Sequence, residues 1–287
     1  MKIAVIGADG QLGTDLCKVI DKSDLVPLTI KDLDIIDPQQ SRELLLKIKP
    51  QMIINTAAYN RVDDSEDNDA EAYSINAHGA KNLAVISREI GSALVHISTD
   101  YVFDGDHKSP YKESDPANPK TAYGISKLAG EQYVKYINEK HYLVRTSGLY
   151  GLAGCLGKGG GNFVENMIKR AKGGQQIKVV ADEIVGPTYT MDLARKIMEL
   201  MQTGKFGLYH ITNGGACSWW EFADKIFSLL KIDIKVIKAS SSEFKSKAHR
   251  PNYSVLENSN LKKIGVEPMR PWPEALKAYL KEREQVS

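Results

Sequence analysis

The segment TAYGISKLAG, residues 121 to 130, places a phenol and an ammonium four residues apart, at Tyr123 and Lys127. Two residues at this spacing are neighbours on one face of a helix. A phenol can donate a proton to a reacting oxygen, and a nearby ammonium strengthens the acid because it stabilises the phenolate. At roughly 4 Å and an effective dielectric near 20, the charge contributes about 4 kcal/mol, or about three pKa units, before its own desolvation is subtracted. The alternative is an exposed helical pair without a chemical role.

A third polar group, Thr99, ends the fourth strand-like segment in the stretch STDYVFDG, residues 98 to 105. Ligands bind outside the carboxyl ends of the strands in an open parallel sheet, so Thr99 would lie at the mouth of a crevice. Taken alone, the stretch could equally be a turn that uses Ser, Thr and Asp for local hydrogen bonds. Because Tyr123 and Lys127 begin the following helix, the three side chains would converge. We predict that they form the catalytic group.

A glycine-rich turn between the first strand and the first helix predicts where a cofactor binds. Gly7, Gly10 and Gly13 stand in the motif GADGQLG. The first glycine permits a sharp turn, the second lets backbone N–H groups approach a pyrophosphate, and the third permits close packing of helix on strand. The anion would rest on the positive end of the helix. We therefore predict a dinucleotide site.

The end of the second strand indicates which dinucleotide this turn would bind. The chain reads Thr29-Ile30-Lys31 where an acidic side chain would hydrogen-bond the ribose 2′-hydroxyl and repel a 2′-phosphate. We therefore expect NADPH, with NADH left open because Asp34 follows closely. A reduced nicotinamide delivers hydride to a ketone carbon. Tyr123 would protonate the ketone oxygen, and Thr99 would donate a hydrogen bond to it.

The elements that must position these groups alternate along the 287 residues. Short apolar, β-rich segments, the last ones at Ile177 to Ala181 and Leu208 to Ile211, recur between helical patterns, which predicts a parallel sheet covered on both faces. We predict an α/β fold with a doubly wound parallel sheet (Rossmann-type) and a smaller C-terminal substrate domain. Residues 1–147 and a return segment at about 177–212 would form the dinucleotide-binding domain. Residues from about 148–176 and 213–287 would form the substrate-binding domain.

Composition excludes several partner classes. With 38 basic and 36 acidic residues the net charge is +2, which gives no basic field for nucleic acid or an anionic membrane. No stretch approaches eighteen uninterrupted apolar residues, and the N-terminus lacks the pattern of a signal peptide. Three widely spaced cysteines, Cys17, Cys155 and Cys217, suit free thiols in a reducing compartment. We expect a cytoplasmic protein with no nucleic-acid or membrane partner.

Longer motifs carry a resemblance over nearly the whole chain. They are GADGQLG (7–13), LDIID (33–37), INTAAYNRVDDSE (54–66), STDYVFDG (98–105), YGISKLAGE (123–131), RTSGLYG (145–151), GNFVENM (161–167), VGPTYT (185–190) and RPNYSVL (250–256). The glycine turn and the triad resemble the extended short-chain dehydrogenase/reductase superfamily, and the motifs together resemble the dTDP-4-dehydrorhamnose reductase family. This resemblance implies an NAD(P)-dependent oxidoreductase that reduces the 4-keto group of a dTDP-4-keto-6-deoxyhexose (dTDP-4-dehydrorhamnose to dTDP-L-rhamnose) for polysaccharide biosynthesis.

The resemblance also implies binding residues at the positions that match the family's motifs. Lys127 would bind the nicotinamide ribose, Asn76 would be a structural or proton-relay partner, and Arg250 would pair with the substrate pyrophosphate. The residues expected to bind the cofactor are Gly7, Gly10, Gln11, Leu12, Gly13, Lys31, Asp34, Ile35, Ala57, Ala58, Tyr59, Asn76, Tyr123 and Lys127. Those expected to bind the dTDP-sugar substrate are Val62, Thr99, Asp100, Tyr101, Tyr123, Gly148, Asn162 and Arg250.

At several positions the chain departs from the family pattern. Gly148 stands where the family often has a tryptophan that contacts the sugar, which removes stacking area over the hexose. Tyr253 replaces the usual asparagine of the tail motif. Some members bind Mg²⁺ with acidic residues at a dimer interface, and this chain retains Asp15 but has Met191 at another such position. We predict no obligatory metal and leave a homodimer open.

The same residues help to distinguish a reductase from related enzymes and from a regulatory protein. Sugar-nucleotide dehydratases place an Asp-Glu pair directly after the threonine, because elimination of water needs a separate acid and base. This chain has Asp100-Tyr101, which favours reduction without elimination. Epimerases share the triad, so a reductase or epimerase of a different nucleotide sugar stays an alternative. A non-catalytic NADP-binding regulatory subunit is the alternative of another class, although the intact triad argues against it.

Overall fold

The computed structural model describes residues 1–155, 157, 159–174 and 176–286 as a mixed α/β fold. Its strands are β1 (Ile3–Ile6), β2 (Leu25–Leu28), β3 (Met52–Asn55), β4 (Ala93–Thr99), β5 (His141–Thr146), β6 (Leu149–Tyr150), β7 (Ile177–Val180), β8 (Ile184–Val185), β9 (Thr188–Tyr189), β10 (Gly207–His210), β11 (Cys217–Ser218) and β12 (Val236–Ala239). Its helices are α1 (Gln11–Val19), α2 (Pro38–Ile48), α3 (Asp69–Tyr73), α4 (Ala80–Glu89), α5 (Ala122–Ile137), α6 (Phe163–Lys172), α7 (Thr190–Gln202), α8 (Trp219–Leu230), α9 (Ser259–Lys263) and α10 (Trp272–Val286).

A six-stranded parallel sheet with the order β10-β5-β4-β3-β1-β2 organises the larger part of the molecule. The chain runs from β1 to β2 on one side and then returns to β3 on the other side of β1. The strand order therefore reverses between β1 and β3, where the loops after the two strands part and leave a crevice. The predicted doubly wound α/β class is confirmed.

Both faces of the sheet are buried, as the apolar character of its strands requires. On β1, Ile3 and Val5 join one core cluster with α1 and α7, while Ala4 and Ile6 join another with α2 and α4. Successive side chains of a strand point to opposite faces, so one short apolar segment serves both clusters. The sheet is thus held rigidly between two helical layers, and its carboxyl edge can fix side chains in place.

The smaller unit has its own core and its own short strand pairs. Phe222, Ile226 and Tyr279 lie fully buried where α6, α8 and α10 meet. Here β7 pairs in parallel with β12, and β8 pairs antiparallel with β11. The expectation that Ile177 to Ala181 returns to the large sheet is wrong, because β7 pairs with β12 instead. Ile177 is buried but Lys178 is exposed, since only one face of this strand is covered. The predicted domain limits otherwise stay a prediction.

Helix α5 is attached to the end of β4 by buried polar contacts. The Thr121 hydroxyl caps the helix by accepting a hydrogen bond from the Gly124 N–H at 2.9 Å. One turn later, Lys127 Nζ donates to the Ile97 carbonyl oxygen at 2.6 Å. A further turn on, Glu131 accepts from the Ser98 hydroxyl at 2.5 Å. The contacts of Lys127 and Glu131 join successive turns of the helix to neighbouring residues of the strand and fix the register between them.

Glu131 is neutralised within the core by Arg145 of β5. Two hydrogen bonds, from Nε at 2.8 Å and from an Nη at 2.6 Å, join the guanidinium to the carboxylate. The side chains are only 5% and 2% exposed. The two parallel hydrogen bonds of such a pair offset part of the desolvation of both charges, while the buried Nη1 of Arg145 has no hydrogen-bond partner among the described residues.

A π-helical turn, Ser74–Gly79, connects α3 to α4 and brings Asn76 into the interior. Helix α5 packs against this turn so closely that a Cβ on Gly130 would lie 2.3 Å from the Asn76 carbonyl oxygen. Single π-turns inside helices often occur at functional sites, since they redirect one side chain without ending the helix. Periodicity alone predicts an uninterrupted helix here and does not reveal the turn.

Two expectations about compartment can be compared with the structure. Cys17, Cys155 and Cys217 are free thiols, and Cys217 is buried. None of the helices in the described ranges combines the length and the apolar character needed to cross a bilayer. The first observation agrees with the thiol state expected from the sequence.

The Glu131–Arg145 pair yields a stability prediction. Glu131→Gln leaves the Arg145 charge buried without its counter-charge, so we expect the free energy of unfolding to fall by about 3 kcal/mol or more. Urea unfolding followed by circular dichroism measures the loss. The matched control is Glu89→Gln, which breaks an exposed ion pair with Arg42 and should leave the midpoint nearly unchanged. Equal losses in both variants would show that burial of the first pair is not what stabilises the fold.

Candidate active site

The turn from β1 to α1 fits an anionic group at the carboxyl edge of the sheet. Gly7 has a φ of +76°, in the region that glycine favours, and a Cβ there would lie 2.8 Å from Thr56 Oγ1. A Cβ on Gly13 would lie 2.0 Å from the Gly7 carbonyl oxygen, so only glycine lets the helix approach the turn. Gly10 begins α1 without a side-chain cap. The first-turn amides of α1 are therefore left for a ligand, as a dinucleotide phosphate requires.

A cleft of about 840 Å³ runs from this turn to the smaller unit, within the usual size of ligand sites. The predicted site residues that line it are Gly7, Gly10, Gln11, Leu12, Asp34, Ile35, Ala57, Ala58, Val62, Thr99, Asp100, Tyr101, Tyr123, Lys127, Gly148, Asn162 and Arg250. The predicted residues outside its lining are Gly13, Lys31, Tyr59 and Asn76. The structure thus gathers most of the set around one space.

The four predicted residues outside the cleft lining lie behind it or at the surface of the protein. Gly13 lies behind the turn as a packing residue, and Lys31 is exposed to solvent. Asn76 accepts from the Tyr59 N–H at 2.9 Å and donates to the Tyr59 carbonyl at 3.0 Å, so it holds the loop after β3. It also donates to the Ser126 hydroxyl on α5 at 3.0 Å. The structural role proposed for Asn76 has this support, while a selection of NADPH by Lys31 stays a prediction.

The three predicted catalytic residues meet inside the cleft. Thr99 ends β4, and Tyr123 and Lys127 lie on the first turns of α5. The Thr99 hydroxyl donates to Asp100 Oδ1 at 3.0 Å and lies close enough to the Tyr123 phenol to lower its pKa against the effect of burial. Tyr123 is 9% exposed and Lys127 is 1% exposed. A phenol with a polar partner, next to a buried ammonium, can transfer a proton to a ligand held against it.

The electrostatics differ from the expectation that Lys127 makes Tyr123 more acidic. Burial raises the pKa of the Tyr123 phenol well above its ordinary value, and the nearby Thr99 hydroxyl only partly opposes this. Burial also lowers the pKa of the Lys127 ammonium to about 8, with the Glu131 carboxylate acting in the opposite direction. The ammonium is bound to the Ile97 carbonyl oxygen. The expectation is wrong for this structure because the loss of hydration has the largest effect on the pKa of the phenol, larger than that of any charge near it.

Past the triad, Arg250 enters the cleft next to Tyr101. The Tyr101 ring meets the Tyr123 ring edge to face, with centroids 5.7 Å apart. Arg250 donates to the Tyr101 hydroxyl at 3.2 Å and forms an ion pair with Asp63 at 2.6 Å. Asp63 also accepts from the Ser246 hydroxyl at 2.7 Å. Arg250 is therefore a positioned cation at the wall of the cleft, although its charge already has a partner.

Two further predicted substrate residues, Asn162 and Gly148, lie in the wall of the cleft, where each serves the conformation of the backbone. Asn162 caps α6 by accepting from the Glu165 N–H at 3.0 Å, and it donates to the Gly151 carbonyl at 2.8 Å. Gly148 has a φ of +55°, and a Cβ there would lie 3.1 Å from Pro187 Cα. The conformation at residue 148 therefore favours glycine, and its contribution to the cleft is backbone rather than an aromatic face.

The sequence analysis missed several residues of the lining. Asn60 donates to Cys155 Sγ at 3.3 Å, and Glu183 lies beside the aromatic side chain of Trp219. Phe163 packs against Trp219 with centroids 4.7 Å apart. Asn60 and Phe163 stand within the motifs INTAAYNRVDDSE and GNFVENM, whereas Glu183 and Trp219 lie outside every quoted motif. For Trp219, the signal in the sequence was the adjacent pair of large aromatics that it forms with Trp220 at the start of a helix.

The predicted absence of an obligatory metal stays a prediction. In the described part of the chain, no group of three or more His, Cys, Asp or Glu residues could hold a metal ion. Asp15 accepts from the Thr190 hydroxyl at 2.6 Å and from Lys18 Nζ at 2.9 Å. Its carboxylate oxygens are thus engaged within the chain.

Comparisons with known proteins were made on the whole chain. A family model described as the RmlD substrate binding domain matches residues 1–285. A crystal structure of a dTDP-4-dehydrorhamnose reductase from Clostridium acetobutylicum is 42% identical, covers 99% of this chain and 100% of its own, and has a TM-score of 0.94. One from Bacillus anthracis, in complex with NADP, is 42% identical, covers 98% and 100%, and also has a TM-score of 0.94. The spore coat polysaccharide biosynthesis protein SpsK of Bacillus subtilis is 40% identical over 284 residues, 98% of each chain.

The glycine turn yields a binding prediction. Gly10→Ala places a methyl group in the cleft lining, 3.2 Å from the Gly7 carbonyl oxygen of the turn, so we expect NADPH to bind about tenfold more weakly, as for the loss of one charge-assisted hydrogen bond. Calorimetric titration measures the dissociation constant. Gly214→Ala is the control, because its Cβ would meet nothing closer than 3.5 Å and lies outside the cleft lining. Unchanged affinity in Gly10→Ala would show that the phosphate does not rest on this helix.

Proposed function

Because this chain belongs to the dTDP-4-dehydrorhamnose reductase family, we propose that it is an oxidoreductase that reduces the 4-keto group of a dTDP-4-keto-6-deoxyhexose with NADPH. The substrate of the family reaction is dTDP-4-dehydrorhamnose and its product is dTDP-L-rhamnose. The observation that carries the proposal is the convergence of Thr99, Tyr123 and Lys127 in a cleft that begins at the glycine turn. A reductase needs a proton donor at that place, next to the cofactor site.

Binding of the cofactor is assigned to the carboxyl edge of the sheet. A relative that is 42% identical was solved in complex with NADP. When bound, NADPH supplies the hydride. The amides of the first turn of α1, which follow Gly10 and have no side-chain cap, would hold its diphosphate, and Lys127 would bind the ribose hydroxyls. Asn76 acts behind them by fixing the loop that contains Ala57 and Tyr59.

Proton transfer is assigned to Tyr123. Because burial raises its pKa, the phenol is neutral at physiological pH and holds the proton that the ketone oxygen must receive. The alkoxide formed from a ketone is far more basic than a phenolate, so the transfer is favourable even from a weakened acid. Thr99 would donate a hydrogen bond to the same oxygen, and the Lys127 charge would stabilise the phenolate that remains.

Recognition of the substrate is assigned to the wall beyond the triad. Arg250 would bind the diphosphate, since a planar guanidinium suits two phosphate oxygens. Val62, Asp100 and Tyr101 line the space between this arginine and Tyr123. We assign the hexose to that space. The similarity to SpsK supports a place in polysaccharide biosynthesis.

The compartment is proposed from the state of the cysteines. The three free thiols support a reducing compartment, and we propose the cytoplasm. A homodimer is left open, and no obligatory metal is assigned to the site.

The central test is the variant Tyr123→Phe. We expect kcat for the reduction of dTDP-4-dehydrorhamnose to fall by roughly 10²- to 10⁴-fold, because the proton donor is lost while the ring and its packing remain. NADPH oxidation followed by absorbance measures the rate, and NADPH binding should persist. Tyr136→Phe is the control on the same helix, since Tyr136 is 89% exposed.

The same assay separates the alternatives. An epimerase would change the sugar without net consumption of NADPH. A regulatory subunit would bind the dinucleotide but reduce no nucleotide-linked ketone. Either result with the wild-type protein would overturn the proposed function.

A pH dependence follows from Lys127. Its pKa of about 8 means that the ammonium is present below this pH and is lost as the pH rises through about 8. We therefore expect kcat/KM for NADPH to decline above about pH 8. The binding of NADPH to Tyr123→Phe should weaken over the same range, because Lys127 and not the phenol titrates there. A flat binding profile in that variant up to pH 10 would contradict the assignment.

A further inference from the structure

The end of the cleft formed by the smaller unit carries aromatic side chains that proton transfer does not use. Phe163, Trp219 and Phe244 line it, and Phe244 is 44% exposed. Aromatic surface in a concave site is apolar area that a ligand would cover. We propose that Trp219 is the stacking platform for the nucleobase of the substrate. This inference rests on the proposed function, since it assigns a part of the same substrate.

The Trp219 ring is held in place by its surroundings. Strand β11 pairs with β8 so that Ser218 lies opposite Ile184, which brings Trp219 next to Glu183. Burial raises the pKa of the Glu183 carboxyl, which lies close enough to the indole for Trp219 to oppose this rise. Phe163 packs against the indole at 4.7 Å and an angle of 38°. A ring that starts a helix at a paired strand and packs against a neighbouring ring loses little conformational freedom when a base stacks on it.

The order of contacts along the cleft favours the base over the hexose. The Tyr123 ring touches Tyr101, whose hydroxyl binds Arg250. Glu183 follows in the cleft lining, near enough to Arg250 and Trp219 for both to oppose the rise in its pKa that burial causes, and the β8–β11 pairing brings it next to Trp219. If the ketone lies at Tyr123 and the diphosphate at Arg250, then the part of the ligand beyond the diphosphate is the nucleoside. The reacting hexose lies on the other side of Arg250, away from the indole.

The basic side chains at this end of the cleft support the same orientation of the ligand, with the nucleoside towards Trp219. Arg170 and Lys178 line the cleft together with Arg250. They would attract a diphosphate to the region between the triad and Trp219. A nucleobase is planar and uncharged, so it suits the aromatic surface rather than these cations.

The experiment compares Trp219→Leu with Trp220→Leu in the protein loaded with NADP. Trp220 is the next residue of α8, but its indole donates to the Val236 carbonyl at 3.0 Å and lies outside the cleft lining. We expect Trp219→Leu to bind dTDP roughly 5- to 100-fold more weakly, the range expected for one stacked base. KM for the dTDP-ketosugar should rise in parallel, and kcat should stay close to wild type. Trp220→Leu should change neither.

Two further measurements show which part of the ligand loses its contact in Trp219→Leu. Binding of rhamnose 1-phosphate, which has no base, should be equal in Trp219→Leu and wild type. Trp219→Phe should recover much of the dTDP affinity, because a smaller ring still stacks. The inference is overturned if Trp219→Leu binds dTDP like wild type, or if it loses rhamnose 1-phosphate instead. It is also overturned if Trp220→Leu weakens dTDP binding equally.

Failure of this inference can be told apart from failure of the proposed function. Binding of dTDP is measured without turnover, so dependence on Trp219 would support the base platform even if no ketosugar were reduced. Reduction by the wild type with an unchanged KM in Trp219→Leu would overturn the platform alone. Binding of NADP and the thermal midpoint, measured in every variant, show whether the fold is intact.

Discussion

The burial of the Lys127 charge is the constraint on which the site depends. An ammonium that is 1% exposed must find a partner within the protein, and here it binds the Ile97 carbonyl oxygen at 2.6 Å. Glu131, one turn further along α5, adds a counter-charge, and Arg145 in turn neutralises Glu131. Each charge therefore requires the next. The result is a helix that can dock on β4 in one register, with Thr99 and Tyr123 brought together as a consequence.

The same burial decides the acid–base character of the site. Water is a better environment than the cleft for a phenolate and for an ammonium, so enclosure favours the neutral form of both groups. For Tyr123 this preserves the proton that a reduction consumes, whereas for Lys127 it brings the titration close to physiological pH. Spacing on a helix predicts that the two side chains are neighbours. It does not predict how much hydration each has lost, because that depends on residues far away in the chain.

Local patterns in the sequence predict the parts of the site that local chemistry determines. The GADGQLG turn needs glycine at Gly7 and Gly13 because of the close approach between a strand and the helix that directly follows it in the chain. The proximity of Tyr123 and Lys127 follows from helical geometry. The alternation of strands and helices likewise suffices for the fold class. Trp219 and Glu183 could not be found in this way, because a short antiparallel strand pair brings them together. The misassigned Ile177 to Ala181 strand has the same origin: an apolar segment shows that a strand forms, but not which strand it pairs with.

The ion pair between Asp63 and Arg250 bears on how tightly the protein would bind its product. Substrate and product of the proposed reduction carry the same diphosphate, so strong retention of that group would slow each cycle at its last step. A guanidinium that already has a carboxylate partner gains only the difference between two anions when a phosphate arrives. If Arg250 binds the diphosphate as proposed, Asp63 would compete with it, holding the arginine in place while the cleft is empty and favouring release of the product.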